Sequence, residues 1–202
     1  MNTKNSLPVF EGRTVISPQG YNVHADDWQK VVWGDQKKQL LGRAPYALWV
    51  SLKEKEPPLF LWNTGASQKN GLKEASYTRN YVLEHMLELP KQFPTFFAGT
   101  EKKLLSLKKH LQKHNTLLLE EISYNTRESM FAMGIMLNHI VGLEEVIIIS
   151  SDNHTPRCMR DGLVAFHATM CRFSQIRFQF EACHTSYADK KIDDVIIRDL
   201  GD

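Results

Sequence analysis

Five short apolar runs, separated by longer stretches of helical period, constrain the fold of this chain more than any other feature. Each run has the length and apolar composition of a strand that is buried on both faces of a sheet. The runs are RTVIS at 13–17, LFLW at 59–62, TLLLE at 116–120, EVIIIS at 145–150 and IRFQFEA at 176–182. Their alternation with helical segments predicts an α/β fold with a central, mainly parallel sheet of about five strands.

The segments between the runs carry apolar residues three and four positions apart, the spacing of a helix with one buried face. The clearest are 73–87, 127–141 and 156–171. We expect these segments to be crossover helices, and we expect LFLW, TLLLE and EVIIIS to be neighbouring inner strands. Region 25–52 is expected to contain helix as well. The prolines within 87–100 favour a connection, and 101–114 reads as a basic helix with a solvated face.

The composition narrows the classes of partner. With 202 residues and 42% hydrophobic content, the chain is expected to form one domain over 1–202. A net charge of +2 gives little attraction for polyanions, so no specific nucleic-acid partner is expected.

The start of the chain lacks the charged-then-apolar order of a signal peptide, and no apolar run is long enough to span a membrane. These two features predict a cytoplasmic protein. Three cysteines without CxxC spacing argue against a disulfide framework or a zinc site.

Polar residues follow three of the predicted strands, and in a parallel sheet those loops gather at one edge. The loop after LFLW contains Asn63 and Gly65, and Glu74 opens the next helix. The loop after TLLLE contains Ser123, followed by Thr126 and Glu128, where Asn125 and Glu128 have capping spacing. The loop after EVIIIS supplies another group of candidates, Ser151, Asp152, His154 and Arg157. We therefore predict one cleft that binds a small anionic molecule.

Each candidate has a functional and a structural interpretation. His154, beside Asp152, can transfer a proton as a general acid or base, or it can cap a helix. Arg157 lies in the first turn of a helix, where a cation is unfavourable unless an anion pairs with it, so it is a candidate anion ligand. Glu74 and Glu128 either stabilise helix dipoles or bind ligand hydroxyl groups or a metal.

Several common sites are not supported by the sequence. Asp152 and His154 supply two metal ligands at most, so no metal site is assigned. Cys158, on a Met- and Leu-rich helix, is expected to be buried rather than nucleophilic. The sequence contains no GxGxxG, GxxxxGK[ST] or GxSxG motif. The usual dinucleotide, P-loop and hydrolase-elbow interpretations are therefore weakened.

The order of the motifs resembles the bacterial YdcF/SanA/ElyC-like domain. The resemblance rests on NTGAS with KEAS, on ISYNTRES and on SSDNHTPR, and it spans about residues 43–165. It departs from that family at Ser129, where an Asn is usual, and at SPQG (17–20), where a Gly-rich turn is expected. The resemblance implies a Rossmann-like, three-layer fold. It also places the chain with the soluble, YdcF-like branch, for which binding of S-adenosylmethionine has been suggested.

Two functions remain open from the sequence. In the first, the protein is a hydrolase or transferase that acts on a phosphorylated or nucleotide-like small molecule, such as S-adenosylmethionine, with His154 moving a proton. In the second, it is a binding module that senses such a ligand without turnover, including a regulatory role related to the cell envelope. Turnover requires a second titratable group within hydrogen-bond reach of His154.

Overall fold

The computed structural model describes residues 10–113 and 116–186, and within them the five apolar runs form one parallel sheet. Its strands are β1 (Thr14–Pro18), β2 (Leu59–Asn63), β3 (Leu117–Glu120), β4 (Glu145–Ser151) and β5 (Arg177–Cys183). Their order across the sheet is β5-β4-β1-β2-β3, and each neighbouring pair is parallel. The predicted α/β class and Rossmann-like, three-layer architecture are confirmed. The predicted single domain over 1–202 extends beyond the described residues and stays a prediction.

The predicted helices are present, with small shifts at their ends. They are α1 (Arg43–Ser51), α2 (Glu74–His85), α3 (Glu101–Leu111), α4 (Thr126–Leu137) and α5 (Thr155–Thr169). The helix predicted for 127–141 ends early, because Ile140–Val141 instead pairs with Phe10–Glu11 in a short parallel segment. The connection predicted for 87–100 contains two single-turn helices, each with a proline in its first turn, where the missing N–H costs nothing.

Short elements complete the connections. Paired segments outside the main sheet are Gly34–Asp35 with Leu40–Leu41, and Gln68–Lys69 with Leu72–Lys73. Short helical segments are Gln29–Trp33, Met86–Glu88, Leu89–Gln92, Pro94–Phe97 and Phe173–Gln175. In residues 10–113 and 116–186, no helix combines the length and the apolar composition that crossing a bilayer requires.

The sheet separates two hydrophobic cores because successive strand residues point to opposite faces. Ile16, Phe60 and Trp62 pack with α1, α2 and α3 on one face. Val15 and Leu61 pack with α4 and α5 on the other face. Burial of each such side chain stabilises the fold by roughly 1.5–3 kcal/mol. The helices therefore hold the strand ends, and the loops that follow them, in fixed positions.

The strand order corrects one expectation. LFLW and TLLLE are neighbours, but EVIIIS is separated from both by β1, and TLLLE forms an edge strand among the described residues. An apolar run shows that a strand is covered by helices above and below, but it does not identify the strand's neighbours. The chain winds outward from β1 through β2 and β3 and then returns to the other side of β1. The switch point of this doubly wound sheet therefore lies between β1 and β4.

Candidate functional site

A cavity of about 390 Å³ opens at the carboxyl edge of the sheet. Its walls come from the loops after β1, β2 and β3, from the first residue of α2 and from the loop after β4. Most of its lining side chains carry hydroxyl or amide groups: Gln19, Tyr21, Asn22, Asn63, Thr64, Ser67, Ser123, Tyr124, Asn125, Thr126 and Ser129. Among the lining residues in the described part of the chain, none is Lys or Arg. The cavity is thus polar without a cationic wall.

Glu74 is the carboxylate of this cavity. It is the first residue of α2, and only 3% of it is exposed. One carboxylate oxygen, Oε2, accepts a hydrogen bond from the Ser67 hydroxyl, whereas Oε1 has no hydrogen-bond partner among the described residues. Burial raises the pKa of Glu74 from 4.5 to about 7, although the Ser67 hydrogen bond, a backbone hydrogen bond from Tyr21 and the charge of Arg43 oppose the shift. Near neutral pH this carboxyl group can therefore both donate and accept a proton.

A second polar atom of the wall also lacks a partner. The Thr64 hydroxyl is buried, and no group within 10–113 or 116–186 hydrogen-bonds to it. Gly20 lies against both residues, since a Cβ at this position would collide with Glu74 Oε1 and with Thr64 Cα and Cβ. A glycine here lets the loop after β1 approach the other two loops closely. Glu74 and Thr64, each with a buried oxygen that has no partner, thus lie against the same glycine in the cavity wall.

Asn63, at the end of β2, is fixed by other side chains. Its Nδ2 donates to Gln19 Oε1 at 2.9 Å, and its Oδ1 accepts from Ser129 Oγ at 2.7 Å. Ser129 is the position where the sequence departs from the YdcF-like pattern, and here its hydroxyl anchors Asn63. These bonds join the loop after β1, strand β2 and helix α4 beneath the cavity. Asn63 therefore lines the site with its hydrogen-bonding groups already used by the protein.

The loop after β3 is held by two carboxylates. Glu120 is 2% exposed and accepts from Ile122 N, Ser123 N and Ser123 Oγ at 2.6–2.9 Å. The predicted cap of α4 is confirmed, because Asn125 Oδ1 accepts from Glu128 N at 3.0 Å. The Glu128 carboxylate accepts in turn from Tyr124 N at 2.8 Å. Glu128 lies outside the cavity wall, and its contacts support its structural interpretation as a capping residue.

Gly65 has a positive φ of 91°, and a Cβ there would collide with the Ser123 carbonyl oxygen. Its N–H donates to Glu120 O at 3.3 Å. The predicted role of this glycine in a close backbone approach matches its position between the loops after β2 and β3. Gly65 thereby allows these two walls of the cavity to touch.

His154 joins the cavity from the loop after β4. Its Nε2 is hydrogen-bonded to Thr126 Oγ1 at 3.0 Å, and its Nδ1 is hydrogen-bonded to Ser150 Oγ at 2.8 Å. Burial, reinforced by the positive charges of Arg43 and Arg157, lowers the pKa of His154 from 6.5 to about 3. At neutral pH the imidazole is therefore uncharged, and one ring nitrogen donates while the other accepts.

Arg43 lies next to the candidate site and was not predicted from the sequence. It is fully buried at the start of α1, and its guanidinium donates to Ser151 Oγ at 3.0 Å, to Gln19 O at 3.2 Å and to Gly20 O. These bonds tie the loops after β1 and β4 together at the switch point. The sequence carried no signal for this burial, because an Arg in RAPYALWV is equally compatible with a solvated helix end. Ser151 consequently hydrogen-bonds to Arg43 and lies outside the cavity wall.

Asp152 and Arg157 also lie outside the cavity wall. Asp152 is exposed, and its carboxylate accepts from Asn153 N at 2.6 Å. Arg157 is half-exposed, and its Nε lies 3.7 Å from Asp161 Oδ2, one turn along α5. The cavity therefore brings together six of the ten predicted residues, Asn63, Gly65, Glu74, Ser123, Thr126 and His154. Glu128, Ser151, Asp152 and Arg157 serve the surrounding loops and helices.

The surroundings of Cys158 determine its protonation state. Cys158 is buried beside His154, and burial raises the pKa of its thiol to about 11, so it stays protonated at neutral pH. Among the residues that the structure describes, no group of three or more His, Cys, Asp or Glu side chains could hold a metal ion.

Comparison of the chain with protein-family models, curated proteins and solved structures gives no match. The resemblance to the YdcF/SanA/ElyC-like domain therefore stays a prediction that rests on its three motifs.

Proposed function

We propose that this protein binds a nucleotide-like small molecule in the cavity and that Glu74 and Thr64 bind its sugar hydroxyl groups. The observation that carries the proposal is the pair of buried, unpartnered oxygens in the cavity wall, Glu74 Oε1 and Thr64 Oγ1. A buried polar atom without a partner costs about 1–3 kcal/mol. A ligand that donates to Glu74 and hydrogen-bonds to Thr64 removes this cost.

The position of the cavity supports the same class of ligand. Doubly wound sheets bind nucleotides at the carboxyl ends of their strands, near the switch point. This cavity lies above β1, β2 and β3, beside the Arg43 side chain that bridges the switch point. Its volume of about 390 Å³ falls in the range typical of small-molecule sites.

The residues that line the cavity favour anion binding by backbone N–H groups, whereas the sequence predicted anion binding by Arg157. No Lys or Arg lines the cavity among the described residues, and Arg157 instead lies near Asp161. The start of α4 borders the cavity through Asn125 and Thr126. Glu128 N is already capped by Asn125, whereas the N–H groups that precede it in α4 have no intrahelical acceptor and suit a phosphate or carboxylate. S-adenosylmethionine and phosphorylated nucleosides both remain within this class.

A second candidate, turnover of the bound ligand by a hydrolase or transferase reaction, is favoured by one observation. The pKa of Glu74 is about 7, the range in which a carboxyl group is an effective general acid or base at neutral pH. The pKa of His154, about 3, counts against its predicted role as the proton carrier. In this candidate Glu74 moves the proton and the neutral His154 positions Thr126 by hydrogen bonding.

The binding proposal is tested by calorimetric titration of adenosine, adenosine monophosphate and S-adenosylmethionine. We expect at least one to bind, with about tenfold weaker binding to Glu74→Gln because the charged acceptor is lost. Glu84→Gln, an exposed position on the same helix, is the matched control and keeps wild-type affinity. Replacing the ligand by its 2′-deoxy form reports on the sugar contact. No binding by any of the three compounds contradicts the proposal, as does equal affinity in Glu74→Gln.

The turnover candidate is tested with whichever compound binds. Mass spectrometry of the bound compound after incubation shows whether product forms. If Glu74 moves a proton, Glu74→Gln lowers the rate about a hundredfold or more, a larger loss than its loss of affinity. An unchanged compound after prolonged incubation with wild type supports a binding module without turnover.

A further inference from the structure

Two large apolar side chains project into solvent from the loop after β3, which borders the cavity. Ile122 is 76% exposed and Tyr124 is 87% exposed, and Tyr124 also lines the cavity. We name the segment 121–124, between β3 and α4, the mouth loop. Its exposed aromatic ring lies beside a polar interior that contains Glu74, so the cavity is polar inside and apolar at its entrance.

The backbone of the mouth loop is firmly held. The Glu120 carboxylate accepts from the N–H groups of Ile122 and Ser123, and the Glu128 carboxylate accepts from the N–H of Tyr124. The Ser123 carbonyl accepts from Ala66 N at 2.8 Å, which joins this loop to the loop after β2. Tyr124 is therefore presented on a fixed backbone, and ordering a tyrosine ring against a ligand restricts few side-chain torsions.

We infer that Tyr124 stacks on a planar, heteroaromatic group of the ligand at the cavity mouth, while the ligand's hydroxyl groups reach Glu74 inside. This inference rests on the proposed function and assigns an orientation to the ligand, with the base outward and the sugar inward. Aromatic side chains bind bases in this way because every base offers a π face, whatever its hydrogen-bonding pattern.

The small size of the exposed apolar patch formed by Ile122 and Tyr124 favours a small-molecule ligand over a protein partner. A stable protein interface requires about 800 Å² from each partner. Ile122 and Tyr124 are two neighbouring side chains, and one of them lines a cavity of small-molecule size. The interior also holds Glu74 Oε1, a buried and unpartnered atom that a flat protein surface does not reach. An amphipathic small molecule satisfies both parts of the site at once.

The test uses adenosine as the probe and measures both affinity and ring contact. We expect Tyr124→Ala to weaken adenosine binding about tenfold or more, and Tyr124→Phe to keep affinity within about threefold, since the ring and not the hydroxyl makes the contact. Leu105→Ala, on an exposed face of α3, is the control and has no effect. Proton NMR of bound adenosine is expected to show upfield ring-current shifts of the adenine protons with wild type, and smaller shifts with Tyr124→Ala.

The outcomes distinguish the two proposals. If wild type does not bind adenosine, the orientation proposed for the ligand is overturned, and the other two compounds of the titration decide the binding proposal. If adenosine binds wild type and Tyr124→Ala equally well, the stacking inference fails while the binding proposal stands. An equal loss in Tyr124→Phe and Tyr124→Ala also overturns stacking, because it assigns the effect to the hydroxyl group.

Discussion

Glu120 and Glu74 are buried to nearly the same extent at the same edge of the sheet, yet their surroundings differ completely. Glu120 receives three hydrogen bonds from its own loop, shared between its two oxygens. Glu74 receives a single hydrogen bond from a side chain, that of Ser67, and its Oε1 has no partner in the described residues. The comparison separates a carboxylate that builds a loop from one that is available to a ligand. Burial alone does not distinguish these two roles.

The largest effect is expected from Glu120→Ala. It removes the acceptor of the Ile122 N–H and of the buried Ser123 N–H and hydroxyl groups, so the free energy of unfolding falls by about 3–4 kcal/mol. Urea denaturation followed by circular dichroism measures this change. Glu84→Ala, exposed on α2, should stay within about 0.5 kcal/mol of wild type. A loss below about 1 kcal/mol in Glu120→Ala contradicts the loop-building role.

Glu74→Gln should instead change the dependence of stability on pH. In wild type the folded chain keeps a proton up to about pH 7, whereas the unfolded carboxyl group loses it near 4.5. The free energy of unfolding of wild type therefore falls as the pH rises through this window, by up to about 3 kcal/mol. The variant lacks this penalty, so its stability relative to wild type increases between pH 4.5 and pH 8.

Urea denaturation of both proteins at pH 4.5 and pH 8 measures the difference between their free energies of unfolding. The contributions of the other titrating groups cancel in this difference because both proteins contain them. Glu84→Gln provides the matched control and should show the same pH dependence as wild type. A pH-independent difference between Glu74→Gln and wild type shows that Glu74 titrates alike in the folded and unfolded states, which contradicts its raised pKa.

His154→Gln should reduce the loss of stability in acid. The folded pKa of His154 is lowered to about 3, so below its unfolded pKa of 6.5 only the unfolded chain takes up the proton. This uptake lowers the free energy of unfolding of wild type by about 2 kcal/mol between pH 6.5 and pH 5, and the variant lacks that contribution. Denaturation curves at these two pH values provide the measurement. Equal acid sensitivity in the two proteins refutes the neutral state of His154.

The smallest effect on stability is expected from Thr64→Val. The substitution removes a buried hydroxyl group that has no partner and keeps the shape of the side chain, so stability stays the same or rises by up to about 1 kcal/mol. Adenosine affinity should nevertheless fall about threefold to tenfold by calorimetry. A destabilised variant means that the hydroxyl contributes to the fold, which would remove Thr64 from the proposed site.

The fold could be predicted from the sequence to the level of its strands and helices, because each buried strand is an uninterrupted apolar run. The neighbours of those strands could not, since β1 pairs with β4 through residues far apart in the chain. Glu74 could be found because it follows a glycine-containing loop at the end of a strand. Its unpartnered oxygen could not, because that depends on where Thr64 and Gly20 lie in space.

Ser151 and Arg157 were predicted to line the cleft, but both lie outside the cavity wall. Ser151 lies at the end of β4, where Arg43 reaches its hydroxyl from α1. No local pattern encodes this contact. For Arg157 a signal was present, because Asp161 follows it by four positions, the spacing of an ion pair on a helix. The sequence thus contained an internal partner for the residue that was assigned to a ligand anion.

The central position of β1 has a consequence for how the chain acquires its site. Strands β1, β2 and β3 with the loops that follow them supply most of the cavity, including Glu74, and all of them precede β4 in the chain. His154 and the pairing of β4 with β1 come much later, and closing such long-range contacts is slow. During synthesis the polar floor can therefore form while the His154 wall is still missing. If the proposed ligand binds only the completed cavity, its binding stabilises the finished chain over its folding precursors.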